Sequence, residues 1–256
     1  MCGRVFRSIA YRLVALLADG DPYRSVSVHG ISLRADVTDF VFSGIYFGGV
    51  SYEPQLTRFL CERLKPGGVF VDVGANSGYF SLLAASLAGT SGRVYAFEPN
   101  PPVARALACH IALNAMDDRI VASECALSDT SQDRVPLFVT EAHTGFATLV
   151  GDSAIAPEYL GAPTTVGIRT TTFDDWRAAA SVDRVDLMKI DVEGFESQVL
   201  AGMRESLAAG RVAALVVETS WDSPAHRRLV SLGFQPLVLE SVGPADNIAY
   251  ERPALD

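Results

Sequence analysis

From Val69 onward, short runs rich in valine and phenylalanine alternate with longer alanine-rich segments whose apolar residues recur at helical spacing. A chain with that rhythm is restricted to strand-helix units wound around a parallel sheet, an α/β architecture. Val69 to Gly74 (VFVDVG) reads as a buried first strand, Ser77 to Leu87 as a helix, Arg93 to Glu98 (RVYAFE) as a second strand and Pro101 to Asn114 as a second helix. Proline at the first helical position loses no hydrogen bond, so Pro101 suits a helix start. Ile120 to Leu127 reads as a third strand. The rhythm breaks over Ser128 to Thr172, where strands at Val135 to Thr140 and near Val166 to Thr172 flank an irregular loop of a length usually tied to function. It resumes with a strand at Val185 to Val192, a helix at Phe195 to Ala208, a strand at Val212 to Thr219 and a helix at Ala225 to Ser231. Phe234 to Leu239 and Ile248 to Glu251 are set to close the sheet as an antiparallel hairpin across Gly243-Pro244.

With 256 residues, the chain is long enough to bury a core without staples. Its 21 Lys and Arg face 30 Asp and Glu, a formal charge of −9 with no basic run, so nucleic acid is not an expected partner. The four cysteines, Cys2, Cys61, Cys109 and Cys125, stand singly and without metal-ligand spacing, as expected of reduced thiols in the cytoplasm. Arg4 to Ala18 has an apolar face interrupted by Arg7 and Arg12. It is read as an amphipathic packing helix, too short and too polar for stable membrane insertion.

Chemistry concentrates where the first strand meets its helix, in Asp72-Val73-Gly74-Ala75-Asn76-Ser77-Gly78. Glycines at 74 and 78 let the backbone turn sharply and approach a ligand at the carboxyl edge of an open sheet. In a dinucleotide fingerprint starting at Gly74, the later glycines would fall on Asn76 and Tyr79, so NAD is disfavoured. Glu98 ends the second strand at about the spacing from which an acid accepts hydrogen bonds from a ribose diol.

VFVDVGANSGYFSLLAA, RVYAFEPNP, ALSD and LMKIDVEGFE, in this order and spacing, resemble the FkbM-type methyltransferases that use S-adenosylmethionine. The resemblance runs over roughly residues 44 to 240. It implies the class I methyltransferase (Rossmann-like) fold, a mostly parallel seven-stranded sheet of order 3-2-1-4-5-7-6 with a closing antiparallel hairpin and an N-terminal extension. It also implies S-adenosylmethionine as cofactor and a small-molecule acceptor, with methylation of hydroxyls on sugars, glycolipids or polyketide and peptide products. Residues 1–58 are then a helical or lid extension and residues 59–256 the cofactor-binding domain. Asp72, Gly74 and Asn76 would line the methionine end, Ser77 and Gly78 begin the helix beneath, Glu98 hold the ribose, and Ala126 and Leu127 border adenine.

Methyl transfer to a hydroxyl requires in-line approach, a dry pocket and a group to take the proton. Lys189-Ile190-Asp191-Val192-Glu193 sits where the fourth strand meets its helix, and alternation puts Lys189, Asp191 and Glu193 on one side. Asp191 leads for orienting the acceptor or serving as base, followed by Glu193, with Lys189 as charge partner. Glu196 is read either with them or as a helix cap. His143 in the loop is a further candidate base, and its free pKa suits proton transfer. Tyr46, Tyr52, Glu53 and Glu218 are candidate acceptor-pocket residues, the alternative being packing over the sheet. Asp191, Glu193 and Glu218 could converge on Mg²⁺, yet nothing in the spacing demands it, and metal independence is favoured. N-methylation and a silent cofactor-binding partner are the alternative functions. A homo-oligomer is left open.

Overall fold

The computed structural model describes residues 23–36, 51–139, 147–150, 164–242 and 245–253. In chain order its first half comprises β1 (Tyr23–Val28), β2 (Ile31–Asp36), α1 (Pro54–Arg63), β3 (Val69–Val73), α2 (Tyr79–Ala88), β4 (Arg93–Phe97), α3 (Pro101–Leu113), β5 (Ile120–Ser123), β6 (Ala126–Leu127) and β7 (Gln132–Val139). There follow β8 (Ala147–Thr148), β9 (Thr164–Thr171), α4 (Phe173–Ala179), β10 (Leu187–Ile190), α5 (Glu196–Ala201), α6 (Arg204–Ala208), β11 (Ala214–Thr219), α7 (Pro224–Ser231), β12 (Gln235–Val242) and β13 (Ala245–Glu251).

The large sheet has the order β12-β13-β11-β10-β3-β4-β5, with β13 antiparallel to both neighbours and the remaining adjacent pairs parallel. Counted along the chain within this sheet, that order is 3-2-1-4-5-7-6, the topology implied by the resemblance. Both faces are covered, which is why the central strands are apolar throughout. Phe70, Ala96, Leu187 and Val216 face one core with α1 and α2, and Val71, Phe97, Met188 and Val217 face the other with α5, α6 and α7. The chain winds outward from β3 through β4 to β5, then returns to the opposite side of β3 as β10. A ligand crevice forms at such a switch point, outside the carboxyl ends of the strands.

The third strand is shorter than its sequence suggests. It ends at Ser123, and Ala126 and Leu127 belong to a separate four-stranded sheet, β6-β9-β7-β8, where β6 pairs parallel with β9. A turn at Glu124-Cys125 separates two apolar pieces that read as one run. The long helix expected over Phe195 to Ala208 is broken into α5 and α6 at Gly202-Met203. A Cβ on Gly202 would lie 1.9 Å from the Ser128 carbonyl oxygen, so the break sits where β6 leads back over the helix.

Five elements, β1, β2, α1, β8 and α4, escaped the sequence reading. Within residues 23–36 the chain forms the hairpin β1-β2, closed by His29 and Gly30 at φ 51° and 76°, the pair of left-handed residues that a tight hairpin turn requires. Ile31 and Leu33 are fully buried, and the hairpin is tied down from α3 and its C-cap. Asn114 exchanges two 2.8 Å hydrogen bonds with the Ser32 backbone, while His110 Nε2 accepts from the Arg34 amide at 3.0 Å. Helix α1 starts on Pro54 and runs across position 58, and α4 is capped by Thr172, whose hydroxyl accepts from the Asp175 amide at 3.0 Å. The expected helix at Arg4 to Ala18 and the turn at Gly243-Pro244 lie outside the described residues.

Candidate active site

The strand register lines up a row of side chains across the crevice. Ala96, Asp72, Lys189 and Val216 are direct neighbours on β4, β3, β10 and β11. Two residues further along each strand, on the same face, stand Glu98, Gly74, Asp191 and Glu218. Backbone pairing continues past the strand ends, with the Gly74 amide donating to Phe97 O at 3.0 Å and the Asp191 amide to Val73 O at 3.0 Å.

Gly74 is required by the protein itself. Its φ is 79°, and a Cβ there would lie 1.8 Å from the Asp191 carbonyl oxygen, so glycine alone lets the ends of β3 and β10 meet. Asn76 also adopts a left-handed conformation, and its Oδ1 accepts from the Ser77 amide at 2.6 Å. His110 Nδ1 donates to Ser77 O at 2.7 Å, which connects this loop to the N-terminal hairpin. Glu98 clamps the loop to the next strand. Its Oε2 accepts the Asn76 amide at 2.9 Å and its Oε1 the Asn100 amide at 2.9 Å. Burial nonetheless outweighs these two donors and pushes the carboxyl up to about 7.

On the β10 side of the row, Lys189 is buried with its Nζ 2.7 Å from Asp191 Oδ2 and 5.3 Å above the Phe80 ring. Burial by itself would lower the lysine pKa. Asp191, Asp72 and Glu53 reverse that, and the ammonium is held above its ordinary range. Glu218 is pushed well up by burial and by Asp191, so at neutral pH it keeps a proton and donates it to Asp191. Burial, reinforced by Asp191 and Glu196, pushes Glu193 up to about 8. Asp72 is raised by burial although Ser81 Oγ donates to its Oδ2 at 2.6 Å, and its Oδ1 has no partner. Glu53 is also raised by burial. The Tyr52 side chain hydrogen-bonds it, and its Oε2 is unpartnered.

Of the residues singled out from sequence, Asp72, Gly74, Asn76, Ser77, Gly78 and Glu98 thus form one side of the crevice, and Lys189, Asp191, Glu193, Glu218, Tyr52 and Glu53 gather around Lys189 and Asp191. Ala126 is buried against Leu137 and Ile168 in the second sheet, and Leu127 lies in the core beneath the large one. Neither belongs to the row. Glu196 opens α5 without capping it and accepts the Gly194 amide at 2.9 Å. Thr148 Oγ1 donates to Glu193 O at 2.8 Å, which brings the interrupted insertion to the site. Tyr46 and His143 lie outside the described residues. Among the described residues no group of three or more His, Cys, Asp and Glu is arranged to hold a metal ion. Asp191 is engaged by an ammonium and by a carboxyl proton instead, so Mg²⁺ finds no support here.

One buried polar residue was missed. Asn247 stands opposite Glu218 on β13, and its Nδ2 has no partner. Its signal was a lone amide directly before the apolar run Ile248-Ala249-Tyr250 of the closing strand.

Residues 72–235 match the family described as Methyltransferase FkbM domain. The chain belongs to the FkbM methyltransferase family. It is 26% identical over 187 residues to the hexuronic acid methyltransferase AglP of Haloferax volcanii, covering 70% of this chain and 68% of that protein. It is 30% identical over 169 residues to the 31-O-demethyl-FK506 methyltransferase FkbM of Streptomyces tacrolimicus, covering 56% and 62%. A third FkbM-family relative, the 2-O-methyltransferase NoeI of Sinorhizobium fredii, is 26% identical over 155 residues, with 57% and 62% covered. The match thus spans less than two thirds of the length of the latter two. The METTL16 MTase domain superposes with a TM-score of 0.51 over 98% of this chain and 81% of its own at 13% identity, a likeness of fold alone. No helix among the described residues is long and apolar enough to cross a membrane.

Proposed function

We propose that this FkbM-family methyltransferase transfers a methyl group from S-adenosylmethionine to a hydroxyl of a sugar-bearing or polyketide-like small molecule in the cytoplasm. The observation that carries the reading is the row Glu98, Gly74, Asp191 and Glu218 across the switch point. It sets a diol-binding acid two strands away from a carboxyl group prepared for the acceptor. The residues fit the cofactor, because Glu98 keeps a free lone pair on each oxygen and two buried carboxylate oxygens, on Asp72 and Glu53, are without partners.

When bound, S-adenosylmethionine supplies a methyl group made electrophilic by its sulfonium. Glu98 holds the ribose, Asp72, Gly74 and Asn76 line the methionine end, Ser77 and Gly78 launch the helix beneath, and the turn leading to Ala126 and Leu127 borders adenine. Asp191 is fixed by Lys189 and by the Glu218 proton. Those contacts occupy it and suit it to orient the acceptor hydroxyl. The proton goes to a carboxylate oxygen of Glu193, whose raised pKa suits it to accept one. Tyr52 keeps its phenol neutral, since burial followed by the Glu53 and Asp191 charges opposes its ionisation. It walls the crevice beside Glu53 and Asp191.

The carboxylate-rich lining favours a second reading, an amine acceptor. Radiolabelled methyl transfer, run against paired hydroxyl and amine compounds built on one glycoside scaffold, separates the two. Label confined to amines overturns the hydroxyl reading. Asp191→Asn is expected to lower turnover far more than cofactor affinity, and turnover is expected to persist in EDTA.

A further inference from the structure

We propose that Glu53 receives the α-ammonium of the cofactor's methionine end, an inference that rests on the S-adenosylmethionine reading above. Glu53 is 8% exposed, and its Oε2 makes no hydrogen bond. A carboxylate oxygen left so deep in the protein is costly, and in native structures such an atom calls for a missing partner. Its position is also enforced. Glu53 precedes α1 in a left-handed backbone conformation with φ 43°, and helix α1 is anchored behind it by Glu240 Oε1, which accepts the Leu56 amide at 2.9 Å. The neighbouring Tyr52 ring packs on Tyr79 and Phe80, the first residues of the helix launched by the Gly74–Gly78 loop. Tyr52 and Glu53 therefore close the end of the crevice that the methionine arm reaches.

The span is right as well. Glu53 acts electrostatically on Lys189 and Asp191 at the end of β10, and that strand lies two strand spacings, roughly 10 Å, from the one that Glu98 ends. The extended arm between ribose and amino group covers that distance. The other carboxyls are less suited. Asp191 is engaged by Lys189 and Glu218, Glu196 accepts the Gly194 amide, and Glu193 lies past the end of β10. Asp72 has a free oxygen but sits within β3, almost wholly enclosed. Lys189 does not satisfy Glu53 Oε2 either, since that atom has no hydrogen-bond partner and the lysine bonds Asp191.

The test is calorimetric titration of S-adenosylhomocysteine and of its desamino analogue into the wild type, Glu53→Gln and Asp72→Asn. The wild type is expected to prefer the amino compound, and Glu53→Gln to weaken it by about tenfold to a hundredfold, the value of a charge-assisted hydrogen bond, while leaving the desamino analogue unchanged. Equal weakening of both ligands, or of neither, overturns the proposal, as does loss of the preference in Asp72→Asn with its retention in Glu53→Gln. If Glu53→Gln does not fold, a crystal structure of the wild type with S-adenosylhomocysteine decides. The ammonium is expected within hydrogen-bond distance of Glu53 Oε2, and placement on another carboxylate, or on none, refutes the assignment. A wild type that binds neither compound refutes the cofactor reading itself, a different failure.

Discussion

Replacing Glu98 with alanine tests a staple and a ligand contact at once. The side chain accepts two amides, those of Asn76 and Asn100, and each orphaned buried donor costs about 1–3 kcal/mol. The Asn76 amide is only partly buried and regains some water, so a loss of roughly 2–4 kcal/mol is expected with the carboxyl protonated. Ionisation works the other way. Burial moves the carboxyl from its ordinary value of 4.5 up to about 7, so between those values the folded state keeps a proton that the unfolded state releases. Stability of the wild type therefore falls as pH rises through that window, by about 3 kcal/mol in all, and is level above it. Glu98→Ala lacks this slope. Urea denaturation should show the variant clearly destabilised at pH 5 and close to the wild type at pH 8. Titration of S-adenosylhomocysteine should show an affinity loss of about 1–3 kcal/mol from the missing ribose contact. A stability difference independent of pH refutes the burial argument, and an unchanged affinity removes Glu98 from the ribose.

Gly74→Ala combines a left-handed residue, worth about 1–2 kcal/mol of strain, with a Cβ 1.8 Å from the Asp191 carbonyl; the loss in chemical denaturation should exceed about 3 kcal/mol, and a loss below about 1 kcal/mol contradicts the close approach. Lys189→Met leaves Asp191, Asp72 and Glu53 without their shared cation, so it should cost roughly 3–5 kcal/mol at pH 8 and less at pH 5, where protons replace the ammonium; equal losses at both pH values count against that account. If Glu193 takes the acceptor proton, turnover should rise with pH to a plateau above about 8, and Glu193→Gln should remove that limb of the pH profile.

The parallel core was readable because both of its faces are covered. Phe70 and Val71 point to opposite cores, so the strand is apolar at every position and stands out without any partner in view. The β1-β2 hairpin has no such signal. One stripe of valine, isoleucine and leucine goes inward, and the groups that hold it, Asn114 and His110, come from 82 and 76 positions away. The false continuation of the third strand has a similar origin. Ile120 to Leu127 is locally consistent as one strand, and only the pairing of Ala126 and Leu127 with Thr170 and Thr171 divides it. Local pattern reports the burial of a segment, not which sheet buries it.

The site divides along the same line. Gly74, Gly78 and Glu98 are legible because backbone turn and acid lie within one strand-helix-strand unit. Glu53 and Asn247 approach from opposite ends of the chain, and their relation to Asp191 exists only through the register of β10, β11 and β13. What that register assembles is a charge imbalance. Five carboxyls, on Glu53, Asp72, Asp191, Glu193 and Glu218, surround the ammonium of Lys189. Buried ions without partners are expensive, and protons held by Glu218 and Glu193 reduce the excess. On the proposed reading the donor's sulfonium reduces it further, its ammonium being offset by its own carboxylate, whereas the product has lost the sulfonium charge. The arrangement thus favours the donor over its own product, which a site of balanced charge would not do.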